Sequence, residues 1–325
     1  MGRILLIGIN GQVGQELRPL LAPLGNVIGL DRTTLDLTQP DAIRDAIATY
    51  SPHLIINAAA YNAVDRAETE SELAQTVNAI APTIMAEAAD RLGAALIHIS
   101  SNYVFDGQTR MPYTEADIPN PINQYGHSKL AGEWGIQQAC DRHIILRTAW
   151  VYGAYGTHNF VKTMLTLAAQ QDELQVVADQ FSTPTWAYDV AIAIAQFAQS
   201  ILTHASNPVS TGSQHWLKDD VYRSRLSCTS VKLDWGIYHL TNRGLASWYT
   251  FAVAIIEEAK RLGFPLQVQR VIPIPAADYP TPANRPAYSA LDHQKISHHL
   301  ERQPAPWRER LRQMLIMLQT CPTCP

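Results

Sequence analysis

Tyr125 and Lys129 stand four residues apart in the stretch Tyr125-Gly-His-Ser-Lys129. If that stretch is helical, both side chains leave the same face. A free tyrosine loses its proton near pH ~10, too high for acid–base work at neutral pH. An ammonium close by favours the phenolate and lowers that value. Ser101, at the end of an apolar run, would add a hydroxyl able to hydrogen-bond a developing oxyanion. Tyrosine, lysine and serine together suit proton delivery to a carbonyl oxygen. The same spacing also occurs on ordinary exposed helix faces, so the surrounding elements decide its meaning.

Those elements follow one pattern. Residues 121–140 begin after a Pro-Asn-Pro turn and then contain no helix breaker except glycine, which predicts a helix. Short apolar runs at 3–9, 26–30, 54–60, 95–99 and 143–147 predict buried parallel strands, with helices between them at 15–24, 41–50 and 68–92, the last interrupted at Pro82. Strands alternating with helices in this way imply an α/β fold, a Rossmann-type doubly wound parallel sheet. Ligands bind such sheets at the carboxyl ends of the strands. Gly8, Gly11 and Gly14 follow the first strand, with Asn10, Gln12 and Val13 among them, as a turn onto which a pyrophosphate could fit. Asp31 closes the second strand twenty residues beyond Gly11, where a carboxylate would meet an adenosine ribose, whereas Arg32 beside it would accept a 2′-phosphate. The two point to different cofactors, NADH and NADPH.

The predicted domains are a dinucleotide-binding unit over residues 1–153, with returning segments at about 174–203 and 235–243, and a smaller C-terminal substrate-binding unit from about 154–173 and 244–325. Residues 204–234 lose periodicity and read as an insertion or long loop. The net charge of −4 gives no electrostatic reason to expect nucleic acid or an anionic membrane as partner. No apolar run approaches the ~20 residues that span a bilayer. The first residues run straight into the glycine turn with no signal-peptide layout, and the expected location is the cytoplasm. Cys140, Cys228, Cys321 and Cys324 are too few and too unevenly placed for a disulfide framework. Cys321 and Cys324 have metal-site spacing but lack a second pair, and no metal site is expected.

Five phrases carry a family likeness: Ile56 to Asp65, Ser101 to Gly107, Tyr125 to Glu133, Arg147 to Gly153 and Tyr279 to Ser289. Together with the glycine turn they resemble the extended short-chain dehydrogenases/reductases, and more narrowly the dTDP-4-dehydrorhamnose reductases. The resemblance implies reduction of the 4-keto group of a dTDP-sugar with NADPH or NADH, and a homodimer is the assembly to test. It implies that Asn10, Gly11, Gln12, Asp31, Asp36, Leu37, Ala60, Tyr61 and Asn62 hold the cofactor. Tyr125 would be the proton donor, Lys129 would bind the nicotinamide ribose, and Ser101 would bond the reacting oxygen. Asn102, Tyr103 and Trp150 would face the sugar, with Arg285 meeting the diphosphate. Three positions depart from the usual pattern: Ser101 and Asn62 replace threonines, and Asn102 replaces an aspartate. The competing readings are a reductase, epimerase or dehydratase for another nucleotide sugar, and a non-catalytic dinucleotide-binding subunit like the regulatory β subunit of methionine adenosyltransferase.

Overall fold

The structure is a computed structural model that describes residues 2–206 and 233–320. Its central sheet has six parallel strands. They are β1 (Gly2–Ile7), β2 (Gly25–Leu30), β3 (Leu54–Asn57), β4 (Ala95–Ser101), β5 (His143–Thr148) and a last strand, Gly236–His239. Across the sheet the order is Gly236–His239, β5, β4, β3, β1, β2. The chain turns outward in opposite directions from β1 and β3, so a crevice opens between their carboxyl ends.

Alternation along β1 shows how the strands are buried on both faces. Ile4 and Leu6 join a core with Leu17, Leu21, Ala191, Ile194 and Phe197 on one side. Leu5 and Ile7 join Ile43, Ile47, Met85 and Ala89 on the other. Successive strand side chains point to opposite faces, so a strand covered by helices on both sides must be apolar throughout.

The helix from residue 71 to 92 departs from the expected break at Pro82. Residues Thr76–Ile80 form a π turn, and Pro82 then sits in the first turn of the helix Ala81–Leu92. Proline has no N–H to give the Asn78 carbonyl, so the hydrogen-bond ladder slips by one residue instead of stopping. The Gln124–Ala139 helix lies against this turn: a Cβ on Gly132 would come within 2.1 Å of the Asn78 oxygen.

A second core holds the C-terminal region. Phe251, Ile255, Trp307, Leu311 and Met314 pack there with Tyr152, Val161 and Trp186. Two boundaries differ from the sequence expectation. The strand Glu173–Val177 pairs with Arg270–Ile274 and its Leu174 and Val176 enter this second core, not the main sheet. Conversely, the short helix Gln294–His299 returns to the main unit, where Ile296 joins the first core and His299 stacks on Phe197 with centroids 4.3 Å apart. Short strands and helices have no local mark of which core receives them; the buried partner decides. The helix Ala187–Ser206 packs beneath the main sheet. The expected insertion at 204–234 falls mostly outside the described residues, as do Cys321 and Cys324.

Candidate active site

A trough crosses the carboxyl ends of the strands. One end, of about 490 Å³, is lined by Gly8, Asn10, Asp31, Arg32, Asp36, Leu37 and Tyr61, among others. The other, about 430 Å³, is lined by Gln12, Val13, Ser101, Asn102, Tyr103, Tyr125, Lys129, Trp150 and Arg285, among others. Gly11, Ala60 and Asn62 border both. The predicted site residues therefore gather along one surface, except Gly14, which lies beneath it.

The glycine turn shows why those residues are small. Gly8 has φ +86, and a Cβ there would meet the Ala59 nitrogen at 2.8 Å. A Cβ on Gly14 would lie 2.1 Å from the Gly8 oxygen, so Gly14 permits close packing of helix α1 (Gln12–Leu21) on the turn. That helix has no side-chain cap bond and no acidic residue in its first turn. Its N-terminal N–H groups and positive dipole end face the trough, which suits a pyrophosphate.

Asp31 is arranged differently from the simple ribose carboxylate expected. Its Oδ1 accepts hydrogen bonds from the Thr33 backbone at 2.9 Å and hydroxyl at 2.7 Å, and its Oδ2 accepts from the Asn10 amide at 2.7 Å. Bonds from Thr33 and Thr34, led by the Thr33 hydroxyl, hold its carboxyl below the usual range. Asp36 is likewise held low, chiefly by the Thr38 backbone N–H. Arg32 is exposed at the trough margin.

At the opposite end Tyr125 and Lys129 come from the Gln124–Ala139 helix, whose start is capped by the Asn123 side chain bonding the Gly126 N–H at 2.7 Å. Tyr125 is half-buried at the trough wall. Desolvation pushes its hydroxyl up to about 12, while a hydrogen bond with Ser101 opposes the rise. The expected lowering by Lys129 is not what the structure has. Lys129 Nζ donates to the Ile99 carbonyl at 2.7 Å and lies 3.2 Å from His98 Nε2. Burial pulls the lysine down to about 8, with Glu133 acting in the opposite direction. Desolvation outweighs attraction wherever an ionisable group leaves water without a close counter-charge.

Asn102 also departs from expectation. Its amide nitrogen bonds Ser289 Oγ at 2.8 Å, Ser289 O at 3.0 Å and Ser182 Oγ at 3.1 Å. The side chain joins the sheet to the C-terminal segment and is nearly fully buried, so its donors are not directed at a sugar. Trp150 does face the trough. It has φ 45, an unusual conformation for a bulky residue, and stacks on Trp248 at 3.5 Å. Arg285 is paired with Asp65 through two bonds, 3.0 and 2.8 Å, so its charge is already partly matched.

Several trough residues escaped the sequence reading. Trp248 adjoins the trough from the start of the helix Trp248–Arg261. Arg66 lines the other end, paired with Glu70, which also accepts from the Tyr61 hydroxyl at 2.7 Å. Asn78, on the π turn, bonds both the N–H and carbonyl of Tyr61, at 2.9 and 3.0 Å, and so fixes the segment between the two ends. Pro82, which interrupts the helical pattern four residues after Asn78, is the sequence signal that could have drawn attention to it.

The description "RmlD substrate binding domain" matches residues 2–226 and 220–320. The chain belongs to the RmlD family. A dTDP-4-dehydrorhamnose reductase of Escherichia coli (strain K12) is 39% identical, with 98% of each chain covered. Another, from Aggregatibacter actinomycetemcomitans, is 40% identical over 96% of this chain and 98% of its own. The solved dTDP-4-dehydrorhamnose reductase from Bacillus anthracis str. Ames, in complex with NADP, superposes with TM-score 0.81 at 33% identity, covering 97% of this chain and 99% of that one. The chain therefore matches these relatives over nearly all of their length and shares the fold of the solved reductase. Among the described residues no helix is long and apolar enough to cross a membrane, and no cluster of three His, Cys, Asp or Glu could hold a metal.

Proposed function

We propose that this RmlD-family chain is a dTDP-4-dehydrorhamnose reductase that uses NADPH or NADH to convert dTDP-4-dehydro-L-rhamnose into dTDP-L-rhamnose. The observation that carries the reading is that Tyr125, Lys129 and Ser101 line one end of a trough whose other end is a glycine turn. A reduced nicotinamide supplies the hydride. The residues of the chain supply the rest. Gly8, Gly11, Val13 and the first turn of α1 receive the pyrophosphate, with Asn10 and Gln12 beside it. Asp31, Arg32, Asp36 and Leu37 border the adenosine end, and Ala60, Tyr61 and Asn62 cover the middle.

When the sugar carbonyl accepts a hydride, negative charge collects on its oxygen. Tyr125 gives its hydroxyl proton to that oxygen and Ser101 hydrogen-bonds it. A hydroxyl held as high as about 12 stays protonated until the oxyanion forms beside it, which suits a proton donor. Lys129 binds the nicotinamide ribose. Trp150, Tyr103 and Arg285 bound the sugar and diphosphate space. The reading also places the reaction in the cytoplasm, because a dinucleotide and a nucleotide diphosphate-sugar are multiply charged and do not cross lipid unaided. A homodimer is part of the reading and is checked by sedimentation.

The deciding experiment follows loss of NADPH absorbance with dTDP-4-dehydro-L-rhamnose and identifies the product by mass and NMR. Stoichiometric oxidation with formation of dTDP-L-rhamnose is expected. Conversion without net NADPH loss, with NAD released on denaturation, would mean an epimerase. Dinucleotide binding without turnover on any 4-keto nucleotide sugar would mean a regulatory subunit.

A further inference from the structure

Beneath the catalytic helix lies a row of buried polar side chains that take no part in delivering a proton from Tyr125. Asn57 on β3 and His98 on β4 are register partners, as are Ser100 and Arg147 on the next pair. Glu133, on the helix above, accepts from Ser100 at 2.5 Å and from Arg147 at 2.6 Å. His239 continues the row: its Nδ1 faces the Tyr113 carbonyl at 3.0 Å, so it must carry its proton there, leaving Nε2 to accept from Arg147.

The same accounting at His98 gives the opposite tautomer and a consequence for Lys129. Asn57 Oδ1 accepts from the Ala59 N–H at 3.1 Å, which fixes the orientation of the amide. Its Nδ2 then faces His98 Nδ1 at 3.1 Å, so that ring nitrogen is the acceptor. Burial, then the adjacent lysine, hold His98 well below the ordinary histidine range, and the ring is neutral. Its single proton therefore resides on Nε2, 3.2 Å from Lys129 Nζ. An ammonium has no lone pair to receive that proton; a neutral amine does, and still has hydrogens for the Ile99 carbonyl at 2.7 Å. With a charged lysine, either donors would face each other at His98 Nε2, or the ring would shift its proton to Nδ1 against the Asn57 amide.

We infer that Asn57 and His98 are positioning residues that favour the neutral amine of Lys129, so that dinucleotide binding, which offers hydroxyl acceptors, draws a proton onto the lysine. This rests on the dinucleotide reading above. The charged and titratable groups around Lys129 are His98 from β4 and, on its own helix, Tyr125 one turn before and Glu133 one turn after, the latter committed to Arg147 from β5. Burial favours the neutral amine and Glu133 the ammonium, with the balance near pH 8. Once bound, the lysine returns towards its ordinary value of about 10.4. Proton uptake then approaches one per dinucleotide at about pH 9 and falls towards zero at about pH 7.

Two measurements test this on the full chain. Titration calorimetry with NADPH in buffers of different ionisation enthalpy reads the proton count. At pH ~9 the cofactor's 2′-phosphate is fully ionised and adds nothing. Asn57→Asp presents a second carboxylate oxygen to His98, pulls the ring proton to Nδ1 and leaves Nε2 to accept from an ammonium; uptake should then drop at least twofold. Unchanged uptake in Asn57→Asp, or none in the parent at that pH, overturns the inference. Histidine-selective ¹⁵N NMR of the parent without dinucleotide should show His98 with Nδ1 bare and Nε2 protonated at pH ~9, assigned by loss of the signal in His98→Gln. The reverse tautomer also overturns it. A chain that bound no NADPH would sink the dinucleotide reading, and the NMR would still decide this one.

Discussion

The two ends of the trough are built on different physics. At the dinucleotide end, Asp31 and Asp36 are exposed or partly so, and turn N–H groups and threonine hydroxyls a few residues away hold them charged. At the catalytic end, Tyr125 and Lys129 are shifted towards their neutral forms by burial, and their partners Ser101, His98 and Ile99 come from strand β4, distant in the chain. A local turn can set a carboxylate because its donors are built in by the chain's next residues. A buried phenol or amine takes its character from whatever the tertiary fold lays against it. Changes at the catalytic end should therefore act on rate, and changes at the dinucleotide end on affinity.

The largest expected effect tests that division directly. Tyr125→Phe removes one oxygen from the catalytic end. Ketone reduction should fall ~10²–10⁴-fold, as for loss of a positioned general acid, while NADPH affinity by fluorescence titration barely moves. A variant as fast as the parent would remove Tyr125 from the mechanism.

Glu16 asks whether burial alone shifts a group this strongly. It lies on the buried side of α1, and desolvation, with Asp189 adding, raises it to about 7. Because its folded value exceeds its unfolded one, Glu16 stabilises the fold below about pH 4.3, and that contribution is lost as pH rises to about 7. Glu16→Gln should therefore raise urea stability at pH ~8, by on the order of 2–3 kcal/mol, and gain little at pH ~4. Equal effects at both pH values would mean that packing, not charge, dominates there.

Arg285 sharpens the comparison, since it sits between the trough and Asp65. Arg285→Ala should raise KM for the nucleotide sugar about tenfold, as for loss of a charge-assisted bond, with a smaller change in kcat. Asp65→Asn frees the guanidinium and should leave KM unchanged or lower it. If both variants raise KM equally, Arg285 serves the loop's structure and not the diphosphate.

The smallest effect concerns cofactor choice. Asp31 disfavours a 2′-phosphate and Arg32 favours it, so kcat/KM for NADH and NADPH should agree within about a hundredfold, ~2.7 kcal/mol. A larger ratio would mean that one of the two does not touch the ribose.

Much of this was legible in the residues. The apolar runs foretold the first five strands of the main sheet, because a strand buried on both faces must be apolar along its length. The glycine turn was equally plain, since φ +86 at Gly8 and the close approach at Gly14 leave little room for another residue. Long-range partners left no such trace. Nothing near Asn102 announces Ser289, and nothing near Arg285 announces Asp65.

By itself the sequence determined the order of elements, the glycine turn and the placing of Tyr125 and Lys129 on one helix. Periodicity and glycine freedom act within a few residues, so the chain carries their outcome in its own text. Tertiary structure decided which groups those residues answer to. It laid Lys129 against His98 and Ile99, withdrew Asn102 into the join with Ser289, and stacked Trp150 on Trp248. Burial and long-range hydrogen bonds depend on segments far apart in the chain, and only their packing sets the protonation state on which the chemistry turns.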